Sequence, residues 1–144
     1  MPNHIHLVGR PRESESLAKA VGQAHNKYSR YVNRTYDRTG HLWENRFYCC
    51  GLDEEHLREA LCYVDRNPVA AKLINYAWRY SWSSAAYHVS PDKTDRLIDG
   101  QWWKTYFQPL SWKQRLMRAQ DEDVIARIRE YTMKGKMFGK PPKE

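Results

Sequence analysis

Apolar and polar positions alternate at the start of the chain, with Ile5 and Leu7 set against His4 and His6 before Gly9 and Pro11 interrupt the pattern. This period of two predicts a short strand over residues 3–9, with both histidines on one face. From Ser14 the period lengthens: Leu17, Val21, Ala24, Tyr28 and Tyr31 fall at helical spacing, and Ser14 or Ser16 stands where an N-cap belongs. That helix is expected to run to about Arg34. The turn-like stretch TYDRTGHLWENR then leads to Phe47, Tyr48, Cys49 and Cys50, whose content predicts a second strand.

The next helix carries the clearest signals. Asp53 is placed to cap it, Glu54 and Glu55 suit its first turn, and Leu57, Leu61 and Val64 share a face. Pro68 is expected to end it, because the residue before a proline avoids the helical region. Tyr63 and Asn67, four residues apart, then lie one turn apart on the same face. Beyond a connector containing WRYSWSS, helical patterns cover about Gln101–Arg118 and Asp121–Met133, the latter with Val124, Ile125, Ile128 and Tyr131. Residues 134–144 hold four lysines, two glycines and two prolines and are expected to form a basic, flexible tail.

A length of 144 residues suits one core with appendages. The expected division is a catalytic-type domain over 1–90, a helical extension over 91–133 and the tail. A mean hydropathy of −0.89 and the lack of any apolar run near the roughly 20 residues a spanning helix needs exclude a chain that lives in a bilayer. MPNHIHLVGRPRESES has neither the basic flank nor the apolar stretch of a secretory signal, so a cytoplasmic protein is expected. Cys49, Cys50 and Cys62 show no C-x-x-C or zinc-ribbon spacing and are expected to be unpaired.

The charge is +7, carried alongside ten Tyr, six Trp and three Phe. Basic groups attract phosphates and aromatic faces stack unpaired bases, which suits single-stranded nucleic acid. A basic surface over an aromatic core would have the same composition. Two histidines at i and i+2 on a strand can hold one divalent ion, and an Asn oxygen could add a third ligand while leaving positions for phosphate and water. A tyrosine beside such an ion can attack phosphorus and retain the phosphate as a phosphotyrosine. His25 and His41 are expected to be ordinary surface or core histidines, and Trp43, Trp78 and Trp82, which could stack bases, are expected rather to fill a small core.

The segments MPNHIHLV, SLAKAVGQAHNKYSRYVNRTY, GHLWENRFYCC, YVDRNPVAAKL and YSWSSAAYH, in this order over residues 1 to about 90, resemble the single-tyrosine transposases of the HUH superfamily. More narrowly they resemble the branch associated with repetitive extragenic palindromes (RAYT). The resemblance implies His4 and His6 as metal ligands, Tyr63 as the nucleophile, and Asn67 as the residue completing a Mg2+ or Mn2+ site. Arg38 and Arg46 are candidate DNA contacts. The implied reaction is nicking and strand transfer on single-stranded DNA near a palindromic hairpin, through a 5′-phosphotyrosine, with a homodimer as an arrangement to consider.

The implied fold is α+β, a ferredoxin/RRM-like antiparallel sheet flanked by helices. Members of the family carry a strand–helix–strand before the MPNH segment that is lacking here. An internal start methionine, a decayed gene, or strand addition by a partner chain would each account for that. Two other functions compete with the enzyme: a non-catalytic DNA-hairpin-binding module or decayed fragment, and, less well supported, a structural zinc protein built on the histidines.

Overall fold

The computed structural model describes residues 4–90, 95–107 and 109–139. The elements run α1 (Ser16–Thr35), α2 (Glu54–Ala70), a 3-10 turn (Ala77–Arg79), α3 (Ala85–Val89), α4 (Gly100–Tyr106), α5 (Pro109–Met117) and α6 (Glu122–Lys134). No helix among the described residues is long and apolar enough to cross a membrane.

The expected antiparallel sheet is not there. Among the described residues the only β pairing is an isolated parallel bridge between Leu52 and Phe138. Residues 4–9 and 47–50 form no ladder. Alternation predicts an extended backbone but not its partner, and without N–H and C=O groups alongside, an extended segment is not a strand.

The chain divides into two compact units, one formed by Val8–Tyr48 and the other by Met1–Leu7 with Cys49–Glu144. In the first, α1 has the span its periodicity predicts. Its cap differs: Glu15 occupies the N-cap without a side-chain bond, while Ser16 Oγ accepts from the Glu13 N–H at 3.0 Å. Trp43 folds back onto α1, stacking on His25 at 4.1 Å and donating its indole N–H to the His25 carbonyl at 3.3 Å. Tyr28 and Tyr31 remain exposed, and Val32 is the buried residue of the helix.

In the second unit, Asp53 caps α2 as predicted, accepting from the His56 N–H at 2.8 Å. Pro68 does not end α2. It lies within the last turn, so its missing N–H deprives only the Val64 carbonyl of a helical partner, and α2 continues to Ala70. The single helix expected over Gln101–Arg118 is two helices. The chain leaves α4 at Phe107, which is extended, and restarts at Pro109, a residue suited to the first helical position.

The core forms against the inner face of α2. Leu61 and Cys62 meet Ala77, Ala85, Tyr87, Trp103, Phe107, Trp112 and Leu116. His88 stacks on Trp103 at 3.8 Å, and Trp103 on Phe107 at 4.3 Å, with Trp112 edge-on at 5.2 Å. Much of the aromatic content is therefore spent on packing. Trp82, 88% exposed, is not part of the core as expected, whereas Trp78 packs against it.

After α6, Gly135 takes the left-handed conformation at φ 61° and turns the chain back. The Phe138 N–H donates to the Gly51 carbonyl at 2.8 Å. Its ring, 1% exposed, lies 4.3 Å from His56 and 5.3 Å from Tyr131. Residues 134–139 are thus held down at Phe138, while residues 140–144 of the predicted tail lie outside the described residues. Phe138→Ala is expected to cost about 3–5 kcal/mol in denaturant unfolding. A loss below about 1 kcal/mol would show that this segment does not hold the unit together.

Candidate active site

Tyr63 and Asn67 project from one face of α2, because four residues complete slightly more than one turn. Asp65, on the opposite face, is buried among core residues at 1% exposure. Its Oδ2 accepts from His88 Nδ1 at 2.7 Å and Trp112 Nε1 at 3.0 Å. Arg66 donates to the Leu116 carbonyl. With Asp65 anchored inward and Arg66 tied to α5, the rotation of α2 about its axis is set, and Tyr63 and Asn67 are turned to the other side.

The segment bearing His4 and His6 meets that side. The Asn67 side-chain amide lies 2.7 Å from His6 Nε2. The His6 ring stands edge-on to Tyr63 with centroids 5.4 Å apart, and His4 is edge-on to His6 at 5.0 Å. His4 is exposed, His6 and Tyr63 are half-buried, and Asn67 is buried. All four belong to the same compact unit.

Burial is the main cause lowering the His6 pKa below its ordinary value, helped by the positive charges of His4 and Arg129. A neutral imidazole has a free lone pair, the form in which histidine binds a metal. His6 Nε2 is engaged by the Asn67 amide here, so a divalent ion at this place would have to replace that hydrogen bond. Neighbouring ligands of a small octahedral cation stand about 3 Å apart, close to the separation of His6 Nε2 and the Asn67 amide. Rotating that amide presents its oxygen in place of its nitrogen. Among the described residues no group of three His, Cys, Asp or Glu could hold a metal, so any ion here would depend on the amide.

One side chain of this cluster has no signal in the sequence. Arg129, from α6, brings its Nε 3.4 Å from the Tyr63 hydroxyl, with the guanidinium carbon 5.8 Å from the ring centroid. Its spacing is that of any exposed arginine on an amphipathic helix.

Arg38 and Arg46, the predicted DNA contacts, are exposed in the loop after α1, within the unit Val8–Tyr48. His25 and His41 belong to that unit too, and the contact of His25 with Trp43 is one of packing. A cleft of about 540 Å³ opens elsewhere, lined by Arg58, Glu59, Cys62, Phe107, Trp112 and Arg115 among others, and does not include the tyrosine–histidine cluster. Cys49, Cys50 and Cys62 are free thiols, and burial raises the pKa of Cys50 and Cys62 above the ordinary value.

A phenol beside imidazoles and an amide can take part in phosphoryl chemistry where a divalent ion is held next to it. Residues 1–67 match the family model described as Transposase IS200 like. The match takes in His4, His6, Tyr63 and Asn67 and ends within α2, so this part of the chain is similar to the IS200-like transposases. No curated protein and no solved structure matches the chain.

Proposed function

We propose that this protein nicks and transfers single-stranded DNA beside a hairpin, as a transposase-like DNA endonuclease of the palindrome-associated branch, with Tyr63 as nucleophile. The observation that carries the reading is the convergence of Tyr63, His6 and Asn67 on one side of α2 within a segment that matches a transposase family.

In the reaction, the Tyr63 hydroxyl oxygen forms a bond to phosphorus as the bond between phosphorus and the 3′ oxygen breaks. The phenolic proton passes to water and the departing 3′ oxygen takes one up. The products are a 5′-phosphotyrosine and a free 3′ hydroxyl. The ester retains the energy of the broken bond, so a second 3′ hydroxyl can displace Tyr63 and rejoin strands without ATP. His4, His6 and the Asn67 amide would hold Mg2+ or Mn2+, which supplies Lewis-acid charge at the phosphoryl oxygen. In the absence of an ion the Asn67 amide holds the half-buried His6 ring beside Tyr63.

The test is to incubate the protein with a labelled single-stranded hairpin oligonucleotide and Mn2+ or Mg2+. A covalent adduct is expected on a denaturing gel, with peptide mapping placing the nucleotide on Tyr63 and chelation by EDTA abolishing it. An adduct mapped to another residue would overturn the assignment. Hairpin binding without an adduct, insensitive to EDTA and weakened by salt, would instead favour the non-catalytic module.

A further inference from the structure

We infer that Arg129 binds the phosphate that Tyr63 attacks, an inference that rests on the strand-transfer reading above. The guanidinium sits against the nucleophile itself, with Nε 3.4 Å from the Tyr63 hydroxyl oxygen. An incoming phosphodiester must bring its phosphorus close to that oxygen, so its non-bridging oxygens necessarily arrive beside the guanidinium. Nε faces the phenol, and the two terminal amino groups of the same planar fork remain to donate to those oxygens, a geometry that suits arginine and not lysine.

The neighbouring cations on α6 are otherwise engaged. Arg127 lies over the Phe138 ring at 5.2 Å, and Lys134 pairs with Glu130 across one helical turn. Among the described residues Arg129 forms no ion pair with a carboxylate, so its charge is not already neutralised. Its guanidinium carbon lies 5.8 Å from the centroid of the Tyr63 ring, which His6 meets edge-on.

The phosphate is thereby approached from two elements. His6 and Asn67 neighbour Tyr63 from the histidine segment and α2, and the guanidinium reaches its hydroxyl from α6. Charge develops on the non-bridging and leaving oxygens as the new ester forms, and a positioned guanidinium stabilises it without reorganising. Arg129 lies outside the 67 residues that match the transposase family, so the inference comes from the packing of α6 beside α2 alone.

The experiment has two arms, both with the full chain. In the first, single-turnover adduct formation with the hairpin oligonucleotide and Mn2+ is timed for the wild type, Arg129→Ala, Arg129→Lys and, as a control for loss of an exposed positive charge, Lys104→Ala. Arg129→Ala is expected to be slower by roughly 10²-fold. Arg129→Lys should recover part of the rate, and Lys104→Ala should match the wild type. A rate for Arg129→Ala within about threefold of the wild type, or an equal loss in Lys104→Ala, would overturn the inference.

In the second arm the oligonucleotide is bound to Tyr63→Phe, which cannot react, with and without Arg129→Ala, over a range of salt. Loss of one phosphate contact should lower the salt slope by about 1. An unchanged slope would overturn the contact. Arg129 is exposed, so both variants should keep the unfolding transition of the parent protein. If the wild type forms no adduct at Tyr63, the strand-transfer reading fails in the first arm while the second still decides whether Arg129 meets a phosphate.

Discussion

Tyr63→Phe will abolish the covalent protein–DNA adduct while leaving the protein folded and able to bind the hairpin. The substitution deletes one oxygen and keeps the ring. The ring supplies the edge-on contact with His6 at 5.4 Å and the face beneath the Arg129 guanidinium, so the packing around α2 has little reason to change. Only the 3.4 Å hydrogen bond from Arg129 is lost, at a half-exposed site where water can replace it. The chemistry, by contrast, loses its attacking atom. Deleting a nucleophile lowers turnover on the order of 10⁴-fold or more, which on a gel is complete disappearance of the adduct.

None of the other tyrosines should take over. Of the nine others, Tyr28, Tyr31, Tyr36 and Tyr48 belong to the unit Val8–Tyr48, Tyr87 is buried in the core, Tyr76, Tyr106 and Tyr131 lie against Trp78, Trp102 and Phe138, and neither they nor Tyr80 has a ring contact with His6 or His4. The outcome is read from adduct yield beside an unfolding curve and a binding isotherm for the same preparation. Persistent adduct would move the nucleophile elsewhere. Loss of adduct together with loss of the unfolding transition would show that the hydroxyl is needed for folding rather than for attack.

Helices were legible wherever local signals agreed. Asp53 and Asp121 each occupy an N-cap and accept from a backbone N–H of the first turn, and the 3.6-residue spacing of α1, α2 and α6 was evident. Pro109, whose break divides α4 from α5, was equally visible but masked by the apolar pattern running across it. The strand expectations failed for a different reason. The alternation around His4 and His6 describes one segment, whereas a sheet is a relation between segments, and nothing in residues 3–9 or 47–50 specifies a partner.

The site shows the same division. Tyr63 and Asn67 could be set side by side from helix geometry alone, since both are on α2. Bringing His6 to them spans 61 residues and rested on the resemblance to a transposase family. Arg129, 66 residues beyond Tyr63, could not be distinguished among 24 basic residues before α6 was placed beside α2. Asp65, to which no local pattern assigns a place, is one of the most deeply buried side chains described.

That burial makes Asp65 the position where a single substitution should do the most structural damage. Its Oδ2 is shared by the His88 ring N–H at 2.7 Å and the Trp112 indole N–H at 3.0 Å, and its Oδ1 accepts from Ser84 Oγ at 3.3 Å. Two separate pieces of chain, α5 and α3 with its N-cap Ser84, are thereby joined to α2 through one carboxylate. Asp65→Ala removes the only acceptor described for the His88 and Trp112 donors and leaves a cavity where the carboxylate stood. Breaking a buried, hydrogen-bonded group of this kind costs about 3–5 kcal/mol, against a total stability of roughly 5–15 kcal/mol for a domain. The expected result is an unfolding midpoint lowered by roughly 10–20 °C.

Asp65→Asn keeps the shape and one acceptor but turns an N–H₂ group toward other donors, so it should lose a substantial part of the same amount. Because the anchored carboxylate fixes the rotation of α2, a partly folded Asp65→Asn protein should also lose adduct formation more steeply than DNA binding, as Tyr63 and Asn67 drift from His6. Equilibrium unfolding of the wild type and both variants decides the matter. A cost below about 1 kcal/mol for Asp65→Ala would mean that the stacked aromatic core holds α2 without the carboxylate, and the orientation of Tyr63 would then need another cause.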